Sequence, residues 1–229
     1  HHFQRNHCGG SAGGRGARLP RDRCRVGRLV RAIAAWIGRR YVLAGVPPHI
    51  LIIADDAYAD YVEDTDYPDS LAYHRRDRLL LTLRTFSKIY GLAGLRIGYG
   101  VGPLEVIEVL NRVRQPFNVN ALAQVAALAA LDDQDHVERT RVNNREGLAY
   151  LRAACERLGR PYVPSWANFL LIDVGDAARV YEALLRRGVI VRPMDVYGFP
   201  RHLRVTVGTP AENQRFAESL AAVLGVAAP

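Results

Sequence analysis

Thr85-Phe86-Ser87-Lys88-Ile89-Tyr90-Gly91-Leu92-Ala93-Gly94-Leu95-Arg96-Ile97-Gly98 contains the only lysine in a chain of 229 residues. Every other permanently cationic side chain is arginine. A guanidinium stays protonated and is a poor nucleophile, whereas an amine can lose its proton and form a Schiff base with a carbonyl. A lysine without context is ordinarily a solvated surface residue. This one has context. Glycines at 91, 94 and 98 allow tight turns beside it. An apolar run, Leu79–Leu83, precedes it as a strand.

Further upstream, Ile50–Ala54 is short, apolar and rich in isoleucine, and it ends in two acids, Asp55 and Asp56. That pattern predicts a buried parallel strand with polar residues at its carboxyl end. Tyr58 follows, and downstream of the lysine Arg96–Val101 reads as a third strand. An acid, a phenol and an amine therefore come in order along the chain. Open α/β sheets present reactive groups at the carboxyl ends of their strands. Each residue has a second reading. Strand alternation favours Asp55 over Asp56 as the outward acid, but Asp55 as a turn cap and Asp56 as the functional acid is the alternative. Tyr58 reads also as a core tyrosine, Ser87 as a cap, and Arg96 as the partner of a carboxylate.

The rest of the chain alternates helices and strands. Gly102-Pro103 opens a helix through about Val113, with proline at a tolerated first-turn position. Asn120–Leu131 is an alanine-rich helix. A longer helix spans about 135–158, with Leu148, Leu151, Cys155 and Leu158 on one stripe and Gly159 at its end. Beyond it the pattern is a smaller α+β unit. Strands are expected at Phe169–Val174, Val189–Arg192 and Leu203–Val207, with a helix at Ala177–Arg187. Thr209-Pro210-Ala211-Glu212 is a capping box with proline at the first helical position, starting a last helix. The domain reading is an atypical segment at 1–44, a remnant of a larger domain at 45–145, and a small domain at 146–229, bridged by the long helix. There are no internal repeats.

Composition narrows the function classes. The net charge is +8, yet residues 1–40 hold ten arginines against one acid, Asp22, so the excess sits there and the remainder is near neutral. That arm lacks aromatic interleaving, so nucleic-acid binding is disfavoured. Gly9-Gly10-Ser11-Ala12-Gly13-Gly14-Arg15-Gly16 lacks the preceding strand and the Gly-Lys-Ser/Thr ending of a phosphate loop. No run approaches the roughly 20 apolar residues of a membrane span, and the start has no signal-peptide pattern. Cys8, Cys24 and Cys155 are widely scattered and form neither a disulfide nor a metal-ligand pattern, so a cytoplasmic location and no metal are expected.

Taken together, Ile53-Ala54-Asp55-Asp56-Ala57-Tyr58 and Ser-Lys-x-x-x-Leu-Ala-Gly-Leu-Arg-x-Gly resemble the fold-type-I pyridoxal-phosphate aminotransferases, and among them the histidinol-phosphate type. The resemblance covers roughly residues 45–225 and implies an α/β fold, with a partial large-domain sheet plus a smaller C-terminal α+β domain. It implies pyridoxal 5'-phosphate as cofactor, with Lys88 bonding its aldehyde and then carrying protons. Asp55 would pair with the ring nitrogen and Tyr58 with the ring oxygen. Thr85, Ser87 and Arg96 would hold the cofactor phosphate. Trp166-Ala167-Asn168-Phe169 resembles the family's Ala-Asn-Phe segment, placing Asn168 at the substrate's polar end. Val191-Arg192-Pro193 and Leu203-Arg204-Val205 resemble its two arginine-bearing strands, so Arg192 and Arg204 would grip a substrate phosphate. Solvated edge-strand arginine is the competing reading for both.

The resemblance implies small-molecule partners, an amino donor (glutamate) and a keto acceptor (imidazole acetol phosphate), and a homodimer. The family's upstream Asn-Pro-x-x-Pro-Thr-Gly segment has no counterpart, since no Asn-Pro occurs and Asn6 is the only asparagine before Asn111. The expectation is that about 150 residues of the family's large domain are missing or replaced, leaving uncovered apolar surface and impaired turnover. The composition of residues 1–40 fits translation in a wrong frame of a GC-rich gene, an expectation that an intact in-frame gene encoding this chain would refute. An aromatic-amino-acid aminotransferase, a threonine-phosphate decarboxylase and a catalytically inactive fragment are the alternatives.

Overall fold

A computed structural model describes residues 45–76 and 78–226. The expectations for residues 1–44, including Cys8 and Cys24, lie outside the described residues. The chain folds around two sheets. The first has three strands in the order β1 (Ile52–Asp55), β2 (Leu80–Thr85), β3 (Gly98–Val101). β1 and β2 are parallel, with Asp55 opposite Leu83, and β3 runs antiparallel to β2. Parallel pairing puts the ends of β1 and β2 at one edge of the sheet, which is where Asp55 and the loop carrying Lys88 emerge.

The expected third strand begins two residues late. Arg96 is not in it: it ends a short 3-10 turn, Ala93–Leu95, in the left-handed conformation at φ 57°. Gly98 then packs so tightly that an added Cβ would lie 2.7 Å from the Arg84 carbonyl oxygen. A side chain there would push β3 off β2.

Helix α1 (Leu104–Val113) follows with Pro103 at its N-cap, one position earlier than expected. Helix α2 (Ala121–Asp132) is capped by Asn120, whose side chain accepts from the Ala123 amide. α2 is apolar almost all round, a pattern of buried helices. Yet Leu122, Val125 and Leu128 are exposed, as are Leu104, Val109 and Val113 of α1 and Phe117 between them. The uncovered apolar face expected from the sequence is therefore present.

Helix α3 (Gln134–Arg157) carries the stripe Leu148, Leu151, Cys155 and, just beyond it, Leu158, all buried. The proposed boundary between 145 and 146 falls inside it. Its first half packs Val137 against Tyr61 and Ile89 of the first unit. Its second half joins the main core. The second sheet is fully antiparallel in the order β4 (Tyr162–Val163), β5 (Phe169–Asp173), β7 (Phe199–Thr206), β6 (Arg192–Met194). β4 was not expected, and β6 begins at Arg192 rather than ending there. Val189–Val191 instead leads in from the turn at Gly188, which closes helix α4 (Ala177–Leu185) at φ 72°. Alternation on β5 and β7 buries Leu170, Ile172, Leu203 and Val205 against α3, α4 and the last helix, α5 (Pro210–Leu224). The other face of these strands carries Phe169 and Arg204, and Asn168 immediately precedes β5. The Thr209–Glu212 capping box is formed, with the Thr209 hydroxyl and amide both meeting the Glu212 carboxylate.

Candidate active site

Lys88 lies three residues past β2, in a loop closed by its own backbone. Phe86 donates its amide to Ile97 at 3.2 Å, and its carbonyl accepts from Leu92 at 3.0 Å. Gly91 turns back on the Lys88 carbonyl at 3.0 Å, with φ 70°. Ile89 is buried beneath the loop while Lys88 stays partly exposed. The Lys88 Nζ sits 5.1 Å from the centroid of the Tyr58 ring.

Tyr58 packs edge-on against Phe169 at 5.6 Å, and the Arg204 guanidinium stacks over Phe169 at 4.9 Å. Three successive ring contacts thus connect the amine at the end of the first sheet to a guanidinium on the second. Arg204 has a buried Nε without a hydrogen-bond partner. Cross-strand register places Arg192 directly opposite Arg204, on the same face. Like charges in that position repel, and among the described residues no carboxylate pairs with either. Arg192 is exposed and donates to the Tyr197 hydroxyl at 2.9 Å.

The two acids after β1 separate by the pleat. Asp56 is buried, 1% exposed, and accepts from the Ser70 hydroxyl at 2.6 Å. Asp55 is exposed and accepts from the Ala57 amide at 3.3 Å, so the carboxylate also caps its turn. Thr85 Oγ1 accepts from the Ser87 amide at 3.1 Å, so the cap in this turn is threonine rather than serine. Arg96 is exposed and uses one nitrogen on the Ala93 carbonyl, at 2.7 Å; no carboxylate pairs with it among the described residues. Holding a non-glycine residue in the left-handed region costs roughly 1–2 kcal/mol.

The sequence reading missed Tyr61. Its ring is buried between Ile89 and Val137. Burial, then the neighbouring Tyr58 and Asp60, push its hydroxyl up to about 12, against a lowering hydrogen bond from the Asn168 side chain. Tyr61 therefore ties Asn168 to the turn that carries Tyr58. The signal was the three-residue spacing Tyr58-x-x-Tyr61, which a single helical turn, here Ala59–Tyr61, brings to one side. Among the described residues no group of three His, Cys, Asp or Glu side chains clusters for a metal, and no helix is long and apolar enough to cross a membrane.

A lysine beyond a parallel strand, an acid at the end of the neighbouring strand, and an antiparallel α+β unit reached from the lysine through Tyr58 accord with the fold-type-I pyridoxal-phosphate transferase class, to which the fold belongs. The crystal structure of histidinol-phosphate aminotransferase from Sinorhizobium meliloti in complex with pyridoxal-5'-phosphate matches with a TM-score of 0.75 at 27% identity, over 81% of this chain and 52% of that one. The chain belongs to the aminotransferase class I and II family, whose profile matches residues 43–220. Histidinol-phosphate aminotransferase 1 of Nitrosococcus oceani is 55% identical over 183 residues, 80% of this chain and 50% of that protein. The histidinol-phosphate aminotransferase of Symbiobacterium thermophilum is 52% identical over 215 residues, 93% of this chain and 59% of that protein. The chain thus spans about half the length of the curated relatives it matches.

Proposed function

We propose that this chain carries the lysine-bearing and phosphate-gripping parts of a pyridoxal 5'-phosphate-dependent aminotransferase that exchanges an amino group between glutamate and imidazole acetol phosphate. The observation that carries this reading is the run of contacts Lys88–Tyr58–Phe169–Arg204, with Arg192 opposite its far end. It joins a primary amine to a pair of uncompensated guanidinium groups. A substrate with a phosphate at one end and a reacting carbon at the other suits that arrangement, because a phosphate would relieve the Arg192–Arg204 repulsion and offer Arg204 Nε an acceptor.

The donor set suits the cofactor as well. Lys88 supplies an amine and Asp55 a carboxylate free to meet a ring nitrogen. Tyr58 supplies a phenol, and Thr85, Ser87 and Arg96 supply hydroxyls and a fork for a phosphate. When bound, the cofactor supplies an electron sink for the carbanion at the substrate's α-carbon. The protein's part is to bind and orient. Lys88 moves the proton, Asp55 keeps the ring cationic, Asn168 fixes the substrate's polar end, and Arg204 with Arg192 holds its phosphate. In the same proposal residues 45–145 form the cofactor-binding part and 146–229 the substrate-binding part. The exposed apolar face of α1 and α2 supports a homodimeric assembly, and the unpaired buried Cys155 accords with the cytoplasm.

The test is addition of pyridoxal phosphate to the purified chain, borohydride reduction and peptide mapping. The adduct is expected on Lys88. Turnover with histidinol phosphate and 2-oxoglutarate should exceed turnover with phosphate-free or aromatic amino acids. A preference for phenylalanine would overturn the substrate, and no adduct would overturn the cofactor site.

A further inference from the structure

Arg84 immediately precedes Thr85 on β2, and its side chain is 11% exposed. Its Nη1 donates to Asp60 at 3.1 Å, its Nη2 to Asp69 at 2.8 Å, and Nη2 lies 3.9 Å from Asp56. The three acids come from two pieces of backbone, the 56–60 turn and the cap of the next 3-10 turn. Asp56 is the residue after Asp55. Asp60 lies two residues after Tyr58. Asp69 caps the 3-10 turn Ser70–Tyr73, where it also accepts from the Leu71 amide. That turn feeds back into the hub: Ser70 bonds both Asp56 and Thr82, and Thr82 meets His74 Nε2 at 3.0 Å. α3 closes the far side, with Arg141 Nε donating to the Asp60 carbonyl at 3.2 Å.

Burial by itself would lower the pKa of the Arg84 guanidinium, but Asp60, Asp69 and Asp56 together outweigh it and hold the pKa above its ordinary value. The acids are therefore arranged for a permanent planar cation, and a fork is what reaches more than one carboxylate at once. Drawing Asp56 inward also decides the pleat. With Asp56 buried, Asp55 must point to the other face.

We propose that Arg84 is the positioning residue of this site: it clamps the 56–60 turn onto the end of β2 and so sets Asp55 and Tyr58 against Lys88 without touching cofactor itself. The inference rests on the reading of Lys88 and Asp55 given above, but the clamp is testable without it.

The test compares the full chain with Arg84→Met and Arg84→Lys in two measurements. The first is hydrogen exchange. Arg84→Met should speed exchange at Asp56, Ala59, Tyr61 and Ser87 by roughly tenfold or more, the scale of one lost charge-assisted bond, while Leu170 and Ile172 of β5 stay protected. Arg84→Lys should recover part of this, since an ammonium reaches fewer acids. The second is the pH midpoint of the visible band formed on adding pyridoxal phosphate. It should shift in Arg84→Met and partly return in Arg84→Lys, which a purely structural contact would not cause. Unchanged exchange at residues 56–61, or equal acceleration in β5, overturns the clamp. A shifted exchange pattern in a chain that takes up no cofactor at all upholds the clamp and overturns the functional reading instead.

Discussion

The ε-nitrogen of Lys88 stands 5.1 Å above the ring of Tyr58, and among the described residues no carboxylate pairs with it. Among the described residues this amine serves no ion pair, and what they lose on its removal is a cation–π contact worth about 0.5–1 kcal/mol. Lys88→Ala and Lys88→Arg should both leave the urea midpoint nearly unchanged. Both should abolish borohydride-trapped cofactor, because a guanidinium does not replace an amine as nucleophile. Trapping retained in Lys88→Arg would place the reactive group elsewhere.

Arg204 makes the opposite trade. Its Nε is buried without a partner and its charge faces Arg192 across the strand pair. Arg204→Met should leave stability unchanged or slightly raised, since it removes a repulsion while its stem can still cover Phe169. Affinity for histidinol phosphate should fall about tenfold to a hundredfold, the range of a charge-assisted bond at about 1.5–3 kcal/mol. Calorimetry with the phosphate ester and with histidinol separates the two contributions. Equal weakening for both would remove phosphate as the group that Arg204 holds.

Much of this arrangement was legible in the chain because it is local. The apolar runs Ile50–Ala54 and Leu79–Leu83 mark two strands, and the fold pairs them in parallel as Ile52–Asp55 and Leu80–Thr85, with their ends together. Glycines around Lys88 mark the loop, and Thr209 to Glu212 spells out a cap. What was not legible depends on partners far apart in sequence. Nothing local says that Arg84 collects Asp56, Asp60 and Asp69, or that Tyr61 meets Asn168. Arg96 looked like strand because its side chain and neighbours are unremarkable in one, and only the closed Phe86–Ile97 loop forces it into the left-handed region. Val189–Arg192 looked like strand because it is β-branched, whereas pairing with β7 begins only at Arg192.

Gly147 shows how closely α3 must approach the second sheet. A Cβ there would lie 2.3 Å from Val207 Cγ1 and 2.9 Å from Asn213 Nδ2. Almost one helical turn earlier, Asn144 donates toward the carbonyls of Trp166 and Ala167 at 3.4 and 3.5 Å, so helix displacement would also strain the segment that presents Asn168. Gly147→Ala gains helix propensity but overpacks, and the net cost should be about 1–3 kcal/mol. Gly94→Ala, with open space around it, is the control and should be near neutral. Urea unfolding of both variants checks this, and equal stability of the two would mean that α3 can draw back from Val207 at no cost.

Two buried acids make the fold sensitive to alkali. Burial, with Tyr58 and Asp60, raises Tyr61 from 10.0 to about 12, and burial, with Glu156, raises Cys155 from 9.0 to about 11. In each case the folded chain keeps its proton to a higher pH than the unfolded chain does. Stability from these groups is therefore complete below their unfolded values and is lost as pH rises from about 9 toward 12. The urea midpoint should be flat between pH 7 and pH 8.5 and fall steeply above about pH 9.5. Tyr61→Phe with Cys155→Ala starts from lower stability, because a hydrogen bond and a packed sulfur are gone. Its midpoint should nevertheless fall less steeply above pH 9.5, since neither replacement side chain can ionise. An equally steep fall in the double variant would assign the alkaline transition to other groups.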